Sequence, residues 1–296
     1  MTMAQEEQAN PPIRAGGGVA RQASGWTLIA VSLLITVMPY AVPAAAPFAL
    51  LAQIMVLMAF AWVHGVPRYG AAGMGLFMVA FFVVINLLEN LSIETGFPFG
   101  YFEHLAPMGP KLFNVPLIVG PGYFGAAYLS WIIAVLLLDG ADNDGRPGSL
   151  PALAIVAALV VTGYDAVGDP GGATLQHAWA YRDGGGYYGV PLSNFGGWIV
   201  TTVIAFLLGG WLMLRRSARR PAQPLWWWLQ APVMLAAQTI GSPLALALLP
   251  PRLEQDPAGN VWNSAHLYEG TTVVAIVATF AFAVTAALVA LRRAPG

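Results

Sequence analysis

The chain has 296 residues, of which 57% are hydrophobic and only 9% are charged, and its net charge is −1. A soluble domain usually carries about a quarter charged residues, so lipid must surround much of this chain's surface. The near-neutral charge, with Lys111 as the only lysine, gives no indication of a nucleic acid partner. The absence of cysteine excludes disulfides, thiolate catalysis and iron–sulfur or cysteine–zinc sites.

Apolar runs of about 20 residues, the length that crosses a bilayer, predict an all-α fold. We expect a polytopic transmembrane helical bundle of about eight spans with long non-cytoplasmic loops. The predicted spans are 26–46, 47–66, 71–91, 112–138, 150–167, 195–214, 225–249 and 270–291. Prolines at 39, 43 and 47 predict a tight or re-entrant turn between the first two spans.

Residues 26–293 are expected to form a single transmembrane helical domain. Residues 1–25 are rich in Gly, Gln and Ala and are expected to be a disordered cytoplasmic N-terminus. A signal peptide is the alternative interpretation of the first apolar run. The long polar segment before that run disfavours it.

The arginine distribution predicts the orientation, because short positively charged loops remain in the cytoplasm. With eight spans, the termini and the even-numbered loops share one face, which holds ten of the positive residues, against three on the other. The three are Lys111, Arg182 and Arg252, and the ten are Arg14, Arg21, Arg68, Arg146, Arg215, Arg216, Arg219, Arg220, Arg292 and Arg293. We therefore expect a multi-pass protein of the cell (inner) membrane with both termini cytoplasmic.

Acidic residues lie near the ends of two spans, where ionisable groups are costly and indicate function. Glu89 lies near the end of the third span, with Asn86 one turn before it, and Asp165 and Asp169 share a helix face at the end of the fifth. Odd-numbered spans run outward, so an active site toward the outer leaflet is expected. For each residue taken alone, the alternative is a carboxylate that only contacts interfacial water at a helix end. Three acidic residues at the same membrane depth favour a functional site instead. The candidate catalytic residues are Asp165, Asp169, Glu89 and Glu94.

Aromatic residues crowd the same predicted face, and an interfacial belt does not explain why the cytoplasmic loops have few. Glycines and prolines interrupt the chain at 96–100 and 184–191, and irregular backbone at membrane depth must be buried or line a cavity. We predict an aromatic-walled pocket. The candidate substrate-binding residues are Asn86, Phe97, Phe99, Tyr101, Tyr164, His177, Trp179, Tyr181, Asn194 and Trp198. The irregular spacing of the histidines predicts no metal site.

Four stretches of the chain resemble the CruF-type carotenoid hydratases. They are ENLSIETGFPFG at 89–100, GPKLFNVP at 109–116, DAVGDP at 165–170 and GVPLSNFGGW at 189–198. Together the stretches are specific, although each alone is weak. The chain departs from the family pattern at Phe102 and His104, which replace tyrosines, and at Tyr181, which replaces a tryptophan. These departures bear on the end group that is accepted, or on the reaction itself.

The resemblance implies a carotenoid biosynthesis enzyme, a hydro-lyase without a cofactor. It would add water to the terminal isopropylidene double bond of a linear carotenoid end and form a tertiary alcohol. The implied partners are a carotenoid substrate taken from the bilayer, water, membrane lipid and other enzymes of the carotenoid pathway.

The candidate residues suit this chemistry. A carboxylic acid kept neutral by apolar surroundings can protonate an alkene, and a second carboxylate can deprotonate the attacking water. Aromatic faces stabilise the carbocation by roughly 0.5–2 kcal/mol each.

The sequence leaves two alternative functions open. A cyclase or isomerase would use the same acid and keep water out. A non-enzymatic binder or transporter of polyisoprenoids is disfavoured, because transporter sites usually lie at the midplane rather than at one end of the spans. A prenyltransferase is disfavoured because the chain lacks an Asp-rich diphosphate motif. A retinal protein is disfavoured because the last span has no lysine.

Overall fold

The computed structural model describes residues 19–140, 149–217 and 220–293. Seven helical stretches in this part of the chain are long and apolar enough to cross a membrane, so the predicted all-α polytopic class is confirmed. Residues 1–18 of the predicted disordered segment lie outside the described residues, and 19–25 belong to the first helix.

The nine α-helices of the described residues follow one another along the chain. They are α1 Val19–Ala41, α2 Ala46–Thr95, α3 Val119–Leu137, α4 Ser149–Pro170, α5 Leu192–Arg216, α6 Leu225–Gln238, α7 Gly241–Leu248, α8 Ser264–Val274 and α9 Ala281–Arg292. Helix α4 continues as a π-helical turn, Gly171–Leu175, and a second π-helical segment, Ala275–Phe280, joins α8 to α9.

Helix α2 is divided at Gly70, where φ is 71° and ψ is 156°. Met74 lies against Gly65, and Trp62 lies over Gly75. A straight helix would keep these residues well apart, because it rises about 1.5 Å per residue. The halves 46–69 (α2a) and 71–95 (α2b) therefore fold back on each other. Counting them separately gives eight membrane-length segments in the described part of the chain, as predicted.

Several predicted boundaries differ from the structure. Helix α1 begins at Val19, seven residues before the predicted start. Helix α3 begins at Val119 rather than at 112, because 111–116 form a small hairpin. The predicted span 225–249 consists of two helices that are interrupted between Gln238 and Gly241. The proline-rich turn between the first two spans is tight, as predicted, and contains the 3₁₀ turn Pro43–Ala45.

The loops at one end of the bundle contain three two-stranded antiparallel sheets that the sequence analysis did not predict. Strand β1 (Phe102–His104) pairs with β4 (Trp179–Tyr181), β2 (Lys111–Leu112) with β3 (Val115–Pro116), and β5 (Leu253–Gln255) with β6 (Val261–Asn263). The β1–β4 pair joins the loop after α2 to the loop after α4.

Helix α3 occupies the centre of the bundle, and all of its residues from Phe124 to Leu136 are buried. It packs against α2, α4, α6 and α9. Rings fill the space around it, with centroids 5.9 Å apart for Phe77 and Trp131 and 4.9 Å apart for Phe81 and Phe206. The outer helices expose apolar side chains, which is expected where lipid is the solvent.

Candidate active site

A cavity of about 350 Å³ lies at the loop end of the bundle. Its walls come from α2a, from the ends of α2b, α4 and α6, from the beginnings of α3 and α5, and from β1 and β4. Nine of the predicted site residues line it: Glu89, Phe99, Tyr164, Asp165, Asp169, Trp179, Tyr181, Asn194 and Trp198. The volume falls within the range of about 300–1,000 Å³ that is usual for small-molecule sites.

A hydrogen-bonded cluster of two aspartates and one asparagine forms the polar centre of this cavity. The Nδ2 atom of Asn194 donates to Oδ2 of Asp165 at 3.1 Å and to Oδ2 of Asp169 at 2.8 Å. Asp169 also accepts from Trp179 Nε1 at 2.6 Å and from the Tyr181 hydroxyl at 2.9 Å. All three side chains of the cluster are buried, with Asp169 only 3% exposed. The two carboxyl groups thus share one donor in a buried position.

Local structure explains how the cluster forms. Asp165 and Asp169 are four residues apart on α4 and therefore project from the same face. Asn194 lies in the first turn of α5, which starts beside the end of α4. The chain between these helices returns across the cavity as β4, and this strand brings Trp179 and Tyr181 to Asp169.

A second polar pair lies in the same cavity. His104 Nε2 is 3.1 Å from Oε2 of Glu89, and these side chains are only 6% and 5% exposed. The other ring nitrogen of His104 is buried and has no hydrogen-bond partner among the described residues. The cavity therefore contains two polar units, with Glu89 in one and both aspartates in the other.

Aromatic rings surround these polar groups. The rings of Tyr123 and Trp198 are stacked, with centroids 4.2 Å apart and planes inclined by 12°. Tyr123 lines the same cavity as Glu89, Asp165 and Asp169. A cation formed in the cavity would therefore meet both ring faces and carboxyl groups.

The tyrosines that β4 and the following loop contribute remain hydroxyl donors at neutral pH. Burial, followed by the nearby carboxyl groups of Asp169 and Asp165, raises the pKa of Tyr181 well above its usual range. Burial, together with the neighbouring Tyr188, raises the pKa of Tyr187 to about 12. The Tyr187 hydroxyl donates to the Ala166 carbonyl at 3.0 Å, which fixes the loop to α4.

Five predicted site residues lie outside the cavity walls. Glu94 is exposed and accepts a hydrogen bond from Asn114, and Phe97 is 59% exposed. The ring of Tyr101 lies 3.8 Å from the Arg182 guanidinium, and His177 is exposed. Asn86 is buried and donates to the carbonyl of Phe82, one turn earlier. The structure does not bring these residues to the two polar units.

Several cavity residues were absent from the predicted site. His104 and Phe102 stood out in the sequence only as departures from the family pattern. Gln53 was missed altogether, although a lone amide within an apolar run was the available signal. Its Nε2 donates to Thr36 Oγ1 at 2.9 Å, and it lines the cavity from α2a. Within the described residues, no group of three or more His, Asp or Glu side chains is arranged to hold a metal ion.

The helices and the cavity define a class of protein: a polytopic membrane protein with a buried carboxyl cluster in an aromatic cavity. The family model described as "Carotenoid biosynthesis protein" matches residues 45–251, well over half of the chain. The chain belongs to this family, which assigns it to carotenoid biosynthesis. The resemblance to the CruF-type carotenoid hydratases is confirmed by this match and by the relative described next.

The relative is the bisanhydrobacterioruberin hydratase of Haloarcula japonica. It is 31% identical over 147 residues, which are 49% of this chain and 48% of the hydratase. The chain therefore matches this curated relative over about half of the relative's length. No solved structure matches the chain.

Proposed function

We propose that the chain is a carotenoid hydratase that adds water to the terminal isopropylidene double bond of a linear carotenoid. The observation that carries this proposal is the pair of buried aspartates bridged by Asn194 inside an aromatic cavity. Alkene hydration needs a strong acid, a stabilised carbocation and a water molecule. A buried carboxyl pair beside ring faces suits the first two requirements.

The hydrogen bonds support a division of roles within the pair. Two negative charges this close in apolar surroundings repel each other, so the pair is expected to share a proton. Asp169 accepts from Asn194, Trp179 and Tyr181, and bonds of this kind favour the ionised form. Asp165 accepts from Asn194 alone among the described residues. In our proposal Asp165 carries the proton and donates it, and Asp169 is the fixed anion beside it.

The cavity suits one end of a long apolar substrate. Most of its walls are hydrophobic, and the carboxyl and imidazole groups that line it all belong to the two units. In this proposal the polyene enters laterally from the bilayer and only its terminal isoprenoid unit reaches Asp165. Trp198 and Tyr123 face the carbon on which positive charge develops.

The membrane placement is part of the same proposal. Lys111, Arg182 and Arg252 lie with the loops at the cavity end, whereas Arg68, Arg216 and Arg293 lie at the opposite end. By the positive-inside rule, the cavity faces the outer leaflet of the cell membrane and both termini are cytoplasmic. Water for the reaction then reaches the cavity from the outer face.

Expression in a host that makes an acyclic carotenoid tests the proposal. The wild-type chain is expected to yield a carotenoid heavier by one water, and the Asp165→Asn chain is expected to leave the substrate unchanged. A product of unchanged mass but altered absorption would contradict hydration and favour a cyclase or isomerase. Carotenoid that co-purifies unaltered with folded wild-type protein would favour a binder.

A further inference from the structure

The Glu89–His104 pair is a second acid–base unit that the role of the aspartates does not use. The β1–β4 sheet fixes its position, because His104 lies directly opposite Trp179 in the strand register. Trp179 holds Asp169 at 2.6 Å while His104 contacts Glu89 at 3.1 Å. The two strands of this sheet therefore provide one hydrogen-bond partner to each polar unit: β1 provides His104 to Glu89, and β4 provides Trp179 to Asp169.

The unpartnered nitrogen of His104 indicates which atom carries the ring proton. Leaving a buried N–H without an acceptor costs about 1–3 kcal/mol, so a proton on Nδ1 is disfavoured, since Nδ1 has no partner among the described residues. The proton of a neutral ring then resides on Nε2 and is donated to Oε2 of Glu89. Glu89 therefore acts as an acceptor, unlike the proton-donating Asp165.

We propose that His104 is a positioning residue that holds Glu89 as the base for the attacking water. This inference rests on the proposed hydration. Asp165 gives its proton to the alkene carbon that bears one hydrogen, and the neighbouring tertiary carbon becomes the cation. The oxygen of a water molecule on Glu89 bonds to that carbon, and Glu89 takes one proton of the water. The proton on Glu89 then returns to Asp165 through exchange with water, so the sum is the addition of one H and one OH.

If Asp165 is the acid and Glu89 is the base, a variant that loses only the base should still protonate the alkene. A cation that water does not capture loses a proton from one of its methyl groups and becomes an isomeric alkene. In deuterium oxide that alkene keeps the deuterium delivered by Asp165. Deuterium in unhydrated carotenoid therefore reports protonation separately from water capture.

The experiment uses membranes that carry the full chain, with an acyclic carotenoid in deuterium oxide. His104→Leu removes the donor to Glu89 and is expected to lower hydration per folded protein at least about tenfold. Deuterium in the unhydrated carotenoid should persist or rise. Glu89→Gln should behave in the same way, and Asp165→Asn should lose both signals. His104→Gln, which retains an N–H donor, should recover most of the hydration, and His266→Leu, at an exposed histidine, is the matched control.

The outcomes separate this inference from the proposed function. Wild-type protein that hydrates nothing overturns the proposed function and the role of His104 with it. If the wild type hydrates, unimpaired His104→Leu overturns the role of His104 alone. A parallel loss of hydration and deuterium in folded His104→Leu also overturns it, as does a His104→Gln variant no better than His104→Leu.

Discussion

Asn194 links the two aspartates, because its side-chain nitrogen is 3.1 Å from one carboxyl group and 2.8 Å from the other. A single amide cannot neutralise two anions, which is why the proposed mechanism gives the pair a shared proton. The aromatic donors Trp179 and Tyr181 add their hydrogen bonds to one partner only. This asymmetry supports the different roles that we propose for two chemically identical side chains.

Asp165→Asn removes the proposed acid and keeps the shape of the side chain. Product formation per folded protein should fall by roughly 10²–10⁴-fold, the usual contribution of a general acid. Asp169→Asn should also lower it, because the ionised partner of the proton donor is lost. Asp183→Asn, at an exposed aspartate, is the matched control. Near-normal product from both cluster variants would remove the pair from the mechanism.

Trp198→Leu keeps an apolar side chain but removes the ring face that stacks on Tyr123 at 4.2 Å. If the ring stabilises a cation by about 0.5–2 kcal/mol, turnover should fall between about twofold and thirtyfold. Trp198→Phe should retain most activity. Trp211→Leu, at an exposed tryptophan of the same helix, controls for the general effect of a lost indole. Equal turnover per folded protein in the Phe and Leu variants would show that Trp198 only anchors α5.

Among the helices, α2 determines the shape of the cavity. Its first half contributes Gln53 and Leu57 to the wall, and its second half contributes Glu89. These residues can meet only because the helix reverses at Gly70. The backbone angles there, φ 71° and ψ 156°, lie in a region that is essentially open to glycine alone. One residue without a side chain thus permits the hairpin that forms this wall.

Gly70→Ala tests this role, since an added methyl group at Gly70 would meet no atom within 4 Å. Any cost is therefore conformational, and we expect about 1–3 kcal/mol of lost stability. Thermal unfolding in detergent should show a lower midpoint. Gly196→Ala, on an exposed helical surface with equally open space, should not lower the midpoint, because alanine favours a helix more than glycine does. Equal midpoints for wild type and Gly70→Ala would contradict a requirement for glycine.

The same elements show what the sequence could and could not predict. The spans were predictable, because apolar runs of bilayer length leave few alternatives. The Asp165–Asp169 pair was predictable from its spacing on one helix. The Glu89–His104 pair was not, because His104 reaches Glu89 through strands of three residues paired across a long separation in the chain. Propensity is uninformative for such short strands, and their register arises from tertiary packing.

For the molecule as a whole, the long loops lie at one end, and the cavity lies beneath them. The opposite end holds the turn at Gly70 and the end of α5, with Arg68 and Arg216. This polarity gives the protein two chemically distinct faces. By the positive-inside rule, this distribution supports the proposed orientation, in which the cavity faces the outer leaflet.

Cysteine labelling tests that orientation in a chain that has no cysteine. Ala258→Cys lies exposed between β5 and β6 at the cavity end, and Arg216→Cys lies exposed at the end of α5. A membrane-impermeant thiol reagent added to intact cells should label position 258 and spare position 216 until the membrane is opened. Labelling of 216 alone would reverse the orientation.

The central claim is that water adds to a carotenoid end at the buried aspartates, and the origin of the new oxygen tests it most directly. Membranes carrying the wild-type chain would be incubated with an acyclic carotenoid in water enriched in heavy oxygen, beside Asp165→Asn. We expect the wild-type product to carry a hydroxyl group with the heavy isotope and the variant to form none. A product without heavy oxygen, or equal labelled product from the folded Asp165→Asn variant, would contradict it.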